Sequence, residues 1–325
     1  MNIPRRTLLA FACAAACGAT PLAQAQDAWP RQPITIVVPL SPGGVTDVVA
    51  RYLGQRLSES LKVPVIVENK TGAGGGIAAE YVAKLPADGY AFIMGTVSSH
   101  AINASLYRNL RYDNLKDFDP VSLVAAGPNL LVVHPSLPVK SVPELVKYLK
   151  DHPGKVSYGS TGVGTSTHVL AELFKMKTGT EMVHIPYKGS GAMMPDLIAG
   201  QVQLAFDNMP TALAQVKAGK LRALGVTSAQ RWATEPDIPT ISESMPDFVA
   251  TSWQGLFAPA GTPAAVLDRM ANEVQRILEA PETVKRFEVL GTSASAMPRA
   301  QFKAFVQSQT ALWAEVVKKS GARAD

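Results

Sequence analysis

The chain has 325 residues, of which 31 are Lys or Arg and 26 Asp or Glu, for a formal net charge of +5. That excess is too mild to point to nucleic acid or an acidic membrane surface as partner. The only two cysteines, Cys13 and Cys17, fall in the first twenty residues, so the rest of the chain has no thiol, disulfide or cysteine metal site.

Residues 1–25 read as an export signal. Arg5-Arg6, the apolar stretch 7–18 and the small-residue end Ala23-Gln24-Ala25 stand in export order, with cleavage expected after Ala25. The apolar stretch is too short to span a bilayer. General secretion is the default route, and the arginine pair also fits a twin-arginine signal. A lipoprotein reading through Cys17 is weaker, because Ala14 stands where Leu is usual. The remainder is long enough for one large or two ordinary domains without covalent staples.

The exported chain opens with the β-branched run Ile34-Thr35-Ile36-Val37-Val38, which predicts a buried parallel strand. It is followed by Pro39-Leu40-Ser41-Pro42-Gly43-Gly44-Val45-Thr46-Asp47 and a helix predicted over 48–62, where Val49, Leu53, Leu57 and Leu61 recur at helical spacing. This strand, glycine loop and helix start form a corner that favours an anion, through close backbone approach and free N–H groups. Asp47 reads as a complement to the positive helix end. A second corner runs through 63–67, the loop Asn69-Lys70-Thr71-Gly72-Ala73-Gly74-Gly75-Gly76 and a helix at 77–84. A third has a strand at 91–94 and a loop at 95–100.

Apolar strands at 121–124 and 130–133, joined through Ala126-Gly127-Pro128, mark the first domain crossing. Helix 142–151, strand 156–158, loop 159–166 and helix 167–178 then repeat the earlier logic, as do strand 181–185, loop 187–192 and helix 193–199. Strand 202–206, loop 207–210 and helix 211–218 complete a second βαβ domain. Strand 221–227 suits a return crossing. A strand at 253–257, a helix from Pro263 with Thr262 as N-cap, and an amphipathic helix at 299–320 close the chain. Two crossings between two α/β lobes give a cleft with a hinge. The lobes are expected at 26–125 plus 227–325 and at 126–226.

Loops around Ser41, Gly72, Ser98, Ser160 and Lys188 all stand at predicted strand ends. Their Gly, Ser and Thr residues can hold carboxylate oxygens without burying an opposite charge. The densest is Ser160-Thr161-Gly162-Val163-Gly164-Thr165-Ser166-Thr167-His168, where one hydroxyl residue should cap the helix. His168 is expected as a neutral imidazole bonded to backbone. His134, His152 and His184 have no metal-ligand partner at useful spacing. Asp207 either faces the cleft, accepting from a ligand amine or hydroxyl, or caps the following helix. Gly72-Ala73-Gly74 and Gly162-Val163-Gly164 fail as dinucleotide fingerprints because Ile77 and Thr167 replace the third glycine. No phosphate loop, His-Glu-x-x-His or Gly-x-Ser-x-Gly motif is present. No cofactor is expected. A Ser166–His168–Asp207 triad is a weak proposal, and an exported serine hydrolase using Ser160 or Ser166 is the competing class.

PLSPGGVTDVVAR at 39–51, NKTGAGGG at 69–76, YGSTGVGTSTHVLAELF at 158–174, HIPYKG at 184–189 and Phe206-Asp207 together resemble the Bug receptors, the extracytoplasmic solute-binding proteins of tripartite tricarboxylate transporters. The resemblance spans the chain beyond the signal. It implies a two-lobed periplasmic-binding-protein fold of type II, with the cleft between lobes joined by two crossing strands. It further implies a monomeric, non-enzymatic receptor that delivers a small mono-, di- or tricarboxylate or carboxylated amino acid to membrane partners; a receptor feeding a sensor protein is the alternative. The ligand-facing positions implied are Ser41, Gly43, Gly44, Thr46, Ala73, Gly74, Ser98, Ser160, Thr161, Gly164, Thr165, Ser166 and Asp207. Leu40 departs from the family's usual aromatic residue.

Overall fold

The computed structural model describes residues 29–324. The signal and its cleavage site lie outside the described residues. In chain order the elements are β1 (Ile34–Val38), α1 (Val45–Leu61), β2 (Val65–Asn69), α2 (Gly76–Ala83), β3 (Ala91–Thr96), α3 (Asn103–Leu106), β4 (Phe118–Gly127) and β5 (Asn129–Val133). They continue with α4 (Val142–Asp151), β6 (Ser157–Ser160), α5 (Ser166–Thr178), β7 (Val183–Pro186), α6 (Ser190–Ile198), β8 (Leu204–Asn208), α7 (Met209–Lys217) and β9 (Arg222–Val226). The last are β10 (Ser252–Pro259), α8 (Ala264–Glu279), α9 (Pro281–Val289), β11 (Ser293–Ala294) and α10 (Arg299–Ser320).

Two mixed sheets result. The first has strand order β11-β4-β10-β3-β1-β2, and the second β7-β6-β8-β5-β9. In the first, β1 pairs in parallel with β2 and β3, while β10 runs antiparallel to β3 and β4. In the second, β6 is parallel to β7 and β8, and β5 is antiparallel to β8 and β9. The chain passes from the first sheet to the second between Gly127 and Asn129, and returns through 227–251 after β9. This is a two-lobed periplasmic-binding-protein fold, with every parallel strand delivering its following loop to the gap between sheets.

Burial explains the strand assignments. Ile34, Ile36, Val37 and Val38 are all fully buried, as a central parallel strand covered on both faces requires. Val37 packs into a cluster that extends to Leu131, Phe174 and Phe206 of the second lobe, whereas Ile34, Ile36 and Val38 pack with α1 and α8 on the opposite face. Helix α10 lies across both lobes, against β4 and against α5.

Three local expectations are corrected. The strand at 91–94 continues to Thr96 because β10 supplies an antiparallel partner, with Gln254 opposite Thr96. Ser98–Ile102 is then a π turn instead of a loop. Asp207 and Asn208 belong to β8, held by register with Leu130 and Asn129 of β5. Thr262 does not cap α8: its hydroxyl donates to the Pro259 carbonyl at 2.8 Å, and Pro263 occupies the cap position.

Candidate functional site: a cleft between helix starts

Two adjoining cavities lie between the lobes. The larger, about 390 Å³, is walled by the loop after β1, the 72–75 turn, the 161–165 loop and the 186–189 loop. The smaller, about 210 Å³, is walled by Gly44, Val45 and Thr46 at the start of α1, by Gly189, Ser190 and Gly191 at the start of α6, and by Asn208 before α7. Leu40, Ser41, Thr161, Lys188 and Gly189 border both.

Local sequence explains why these walls are donor-rich. Helices α1, α5, α6 and α7 start at Gly44, Thr165, Gly189 and Asn208, and none has a side-chain cap. Helix α4, which borders neither cavity, is capped by Ser141, whose Oγ accepts from the Glu144 amide at 3.3 Å. The first amides of an uncapped helix keep their hydrogen-bonding capacity and a positive partial charge for an anion, except where Ser98 Oγ already takes the Ser166 amide of α5 and where Pro210 of α7 has none. Positive φ at Gly74 (58°) and Gly164 (82°) turns the two loops toward each other. The space between them is tight: a Cβ on Gly74 would stand 2.9 Å from Asn103 Oδ1 and 3.1 Å from the Gly164 carbonyl oxygen.

Among the described residues, three hydrogen bonds cross the cleft. Ser41 Oγ donates to the Lys188 carbonyl at 2.6 Å, the Ser166 amide donates to Ser98 Oγ at 3.1 Å, and Tyr107 Oη donates to the Val163 carbonyl at 3.5 Å.

Among the residues expected from sequence, Ser41, Ala73, Gly74, Thr161 and Thr165 line the larger cavity, and Gly44 and Thr46 the smaller. The others stand behind or beside these walls. Gly43 does not line either cavity, and its amide donates to Asp47 Oδ2 at 3.0 Å. Asp47 also accepts from Arg51 and Asn69 at 3.0 and 2.9 Å; burial alone would raise its pKa, but these donors outweigh it and hold the carboxyl below its ordinary range. Ser98 and Ser166 bond to each other across the gap. Ser160 is fully buried with Oγ 2.7 Å from His184 Nε2. The Gly164 amide donates to His168 Nδ1 at 3.3 Å.

Asp207 is also fully buried and borders neither cavity. Its Oδ1 accepts from Ser190 Oγ at 2.5 Å and its Oδ2 from Thr211 Oγ1 at 2.6 Å, so it ties the start of α6 to α7. Burial raises its pKa, and those hydroxyl bonds oppose the rise. The Ser166, His168 and Asp207 side chains do not assemble into a triad, because Asp207 is committed to Ser190 and Thr211 and His168 to Gly164.

His168 and His184 stack at 4.2 Å between ring centroids, and Tyr158 stacks on His184 at 4.7 Å. Burial lowers the pKa of both imidazoles, that of His184 to about 4 with the adjoining His168 adding to the effect. Neutral rings therefore brace the 160–164 loop from behind, as expected for His168.

The sequence reading placed Lys188 in a candidate loop without singling it out, and it missed Tyr107, Tyr187 and Asn208 in the walls. Tyr187 sits inside the HIPYKG stretch, which was a usable signal. Tyr107 follows α3 and reaches the 161–165 loop only through the fold. Among the described residues no cluster of three or more His, Cys, Asp or Glu side chains is placed to hold a metal, and no helix is long and apolar enough to cross a membrane.

BugT of Bordetella pertussis is 37% identical over 299 residues, covering 91% of this chain and 92% of BugT. A structure of Rpa4515 of R. palustris with adipate is 39% identical with a TM-score of 0.88, covering 91% of this chain and 99% of that one. MatC of Rhodopseudomonas palustris with bound malate is 30% identical with a TM-score of 0.84, covering 89% and 100%. Residues 49–322 match the model of the tripartite tricarboxylate transporter family receptor, and with these relatives along nearly its full length the chain belongs to that receptor family.

Proposed function

We propose that this chain is a periplasmic receptor that captures a small carboxylate in the cleft and delivers it to the membrane components of a tripartite tricarboxylate transporter, without catalysing a reaction. The observation that carries this reading is the convergence of the uncapped starts of α1, α5, α6 and α7 on two adjoining cavities, with no carboxylate side chain among the described residues that line them. Each such helix end favours an anion by roughly 0.3–1 kcal/mol when exposed and up to about 2 when partly buried. Several together reach micromolar affinity, about −8 kcal/mol. The adipate and malate bound by relatives support the ligand class.

In this reading Ser41, Gly44, Thr46, Ala73, Gly74, Thr161 and Thr165 contact the ligand, while Gly43, Ser98, Ser160, Gly164, Ser166 and Asp207 hold the contacting loops in place. The lobes divide at 26–125 plus 227–325 and at 126–226, and an exported monomer cleaved after Ala25 fits this role. A hydrolase reading finds less support, because Ser160 is sealed from both cavities.

The test is a thermal-shift and calorimetric panel of mono-, di- and tricarboxylates and amino acids on ligand-stripped protein. A ligand at 100 times its Kd stabilises the folded state by about 2.7 kcal/mol. A panel in which no acid shifts Tm would defeat the proposal. Capture of the transporter's membrane subunits, against capture of a sensor protein, decides where the ligand is delivered.

A further inference from the structure

Among the described residues that border either cavity, Lys188 is the one with a charged side chain, and it borders both. Its backbone is fixed on each side: its own carbonyl accepts from Ser41 across the cleft, the Tyr187 amide donates to the Ser160 carbonyl at 3.0 Å, and the Gly189 amide donates to the Thr161 carbonyl at 3.1 Å. The side chain is exposed and its ammonium has no hydrogen-bond or ion-pair partner among the described residues. The border of the cleft therefore carries a cationic side chain with no partner among the described residues, beside helix ends that offer only partial charge.

Building on the carboxylate reading above, we infer that Lys188 is a specificity-determining residue that selects ligands carrying two carboxylates, one placed on the helix starts and the other paired with the Lys188 ammonium. A single carboxylate can be satisfied by backbone donors alone. A second one in the same closing cleft needs a cation to offset its lost hydration, and Lys188 supplies it. A third carboxylate would find no further cation. An amino acid's ammonium would find no carboxylate in the walls, since Asp47 and Asp207 are both turned away and engaged.

The test uses matched pairs on ligand-stripped protein: succinate, glutarate and adipate, each against its monomethyl ester, titrated calorimetrically into wild type, Lys188→Met and Lys188→Arg. Wild type should bind at least one diacid tenfold or more tighter than its ester. Lys188→Met should lose that tenfold preference while binding the ester within about twofold of wild type, and Lys188→Arg should keep most of the preference. A diacid-to-ester ratio unchanged by Lys188→Met overturns the inference, as does a wild-type preference for the ester. If no diacid binds wild type but a monocarboxylate or amino acid does, this inference falls and the receptor reading stands; if no carboxylate of any class binds, both fall.

Discussion

At Gly74 the fold leaves no room for a side chain, because Asn103 of its own lobe and Gly164 of the opposite lobe both crowd it. The residue sits at φ 58°, and an added Cβ would press on Asn103 Oδ1 and on the Gly164 carbonyl across the cleft. Gly74→Ala thus carries a local left-handed penalty of about 1 kcal/mol and, separately, a wedge between the loops. The expected outcome is a Tm lowered by only a few degrees without ligand but carboxylate affinity weakened at least tenfold; calorimetric affinity equal to wild type would show that the loops need not approach this closely. A second residue-scale prediction concerns acid. Burial lowers His100 to about 3 and His184 to about 4, against an ordinary value of 6.5. The unfolded chain therefore binds protons that the folded chain refuses, so the stability these rings contribute is complete above pH 6.5 and is lost as pH falls toward 4. Asp207 works in the opposite sense, since its raised pKa favours the protonated folded state at low pH. Tm should fall between pH 7 and pH 4.5, and His184→Phe, which keeps the stack on Tyr158, should flatten that fall; an equal slope in the variant would exclude His184 as a source.

Among the secondary elements, Gly255 in β10 faces α10 so closely that an added Cβ would lie 2.2 Å from the Phe302 ring. Phe302 is fully buried and packs on Phe257 at 5.0 Å between centroids. Gly255→Ala should therefore displace α10 and destabilise by about 1–3 kcal/mol, as overpacking of a filled core does; urea denaturation would measure it, and a midpoint equal to wild type would mean that Phe302 relocates freely. Such contacts mark the boundary of what the amino-acid order discloses. Helices 142–151 and 299–320 were legible to the residue because the apolar spacing within each is a local signal. The glycine loops of the cleft were legible for the same reason, their conformations being written in residue type. β11 was not, because two residues become a strand only beside β4, and α9 follows α8 with Ala280 alone between them, so that Pro281 at its start is its only local signal. Asp207 was left open between facing the cleft and capping the next helix, because its burial is decided by pairing with β5 and by Ser190, neither of which is local in sequence. The same distance hides the Ser41 to Lys188 bond, which spans 147 positions.

Over the whole molecule, the lobes share a core as well as a cleft. The cluster containing Val37, Ile93 and Phe257 of the first sheet is continuous with Leu131, Phe206 and Phe174 of the second lobe. Helix α10 completes the continuity, since its buried Phe302 and Val306 belong to the same cluster as Trp313 and Val317, and the helix rests on α5. Two lobes joined only by hinge strands would melt as separate units, whereas two lobes sharing buried apolar surface must expose it together. The chain should therefore unfold in one transition, with calorimetric and van't Hoff enthalpies equal and with far-UV ellipticity and tryptophan fluorescence changing at the same temperature. Trp313→Ala bears on the cause. It removes a large buried side chain from the α10 seam at a cost of about 3–5 kcal/mol, and by weakening the shared surface it should split or broaden the transition instead of only lowering Tm. Two resolved transitions in the wild-type chain would show that the hinge, and not the common core, governs how the lobes hold together.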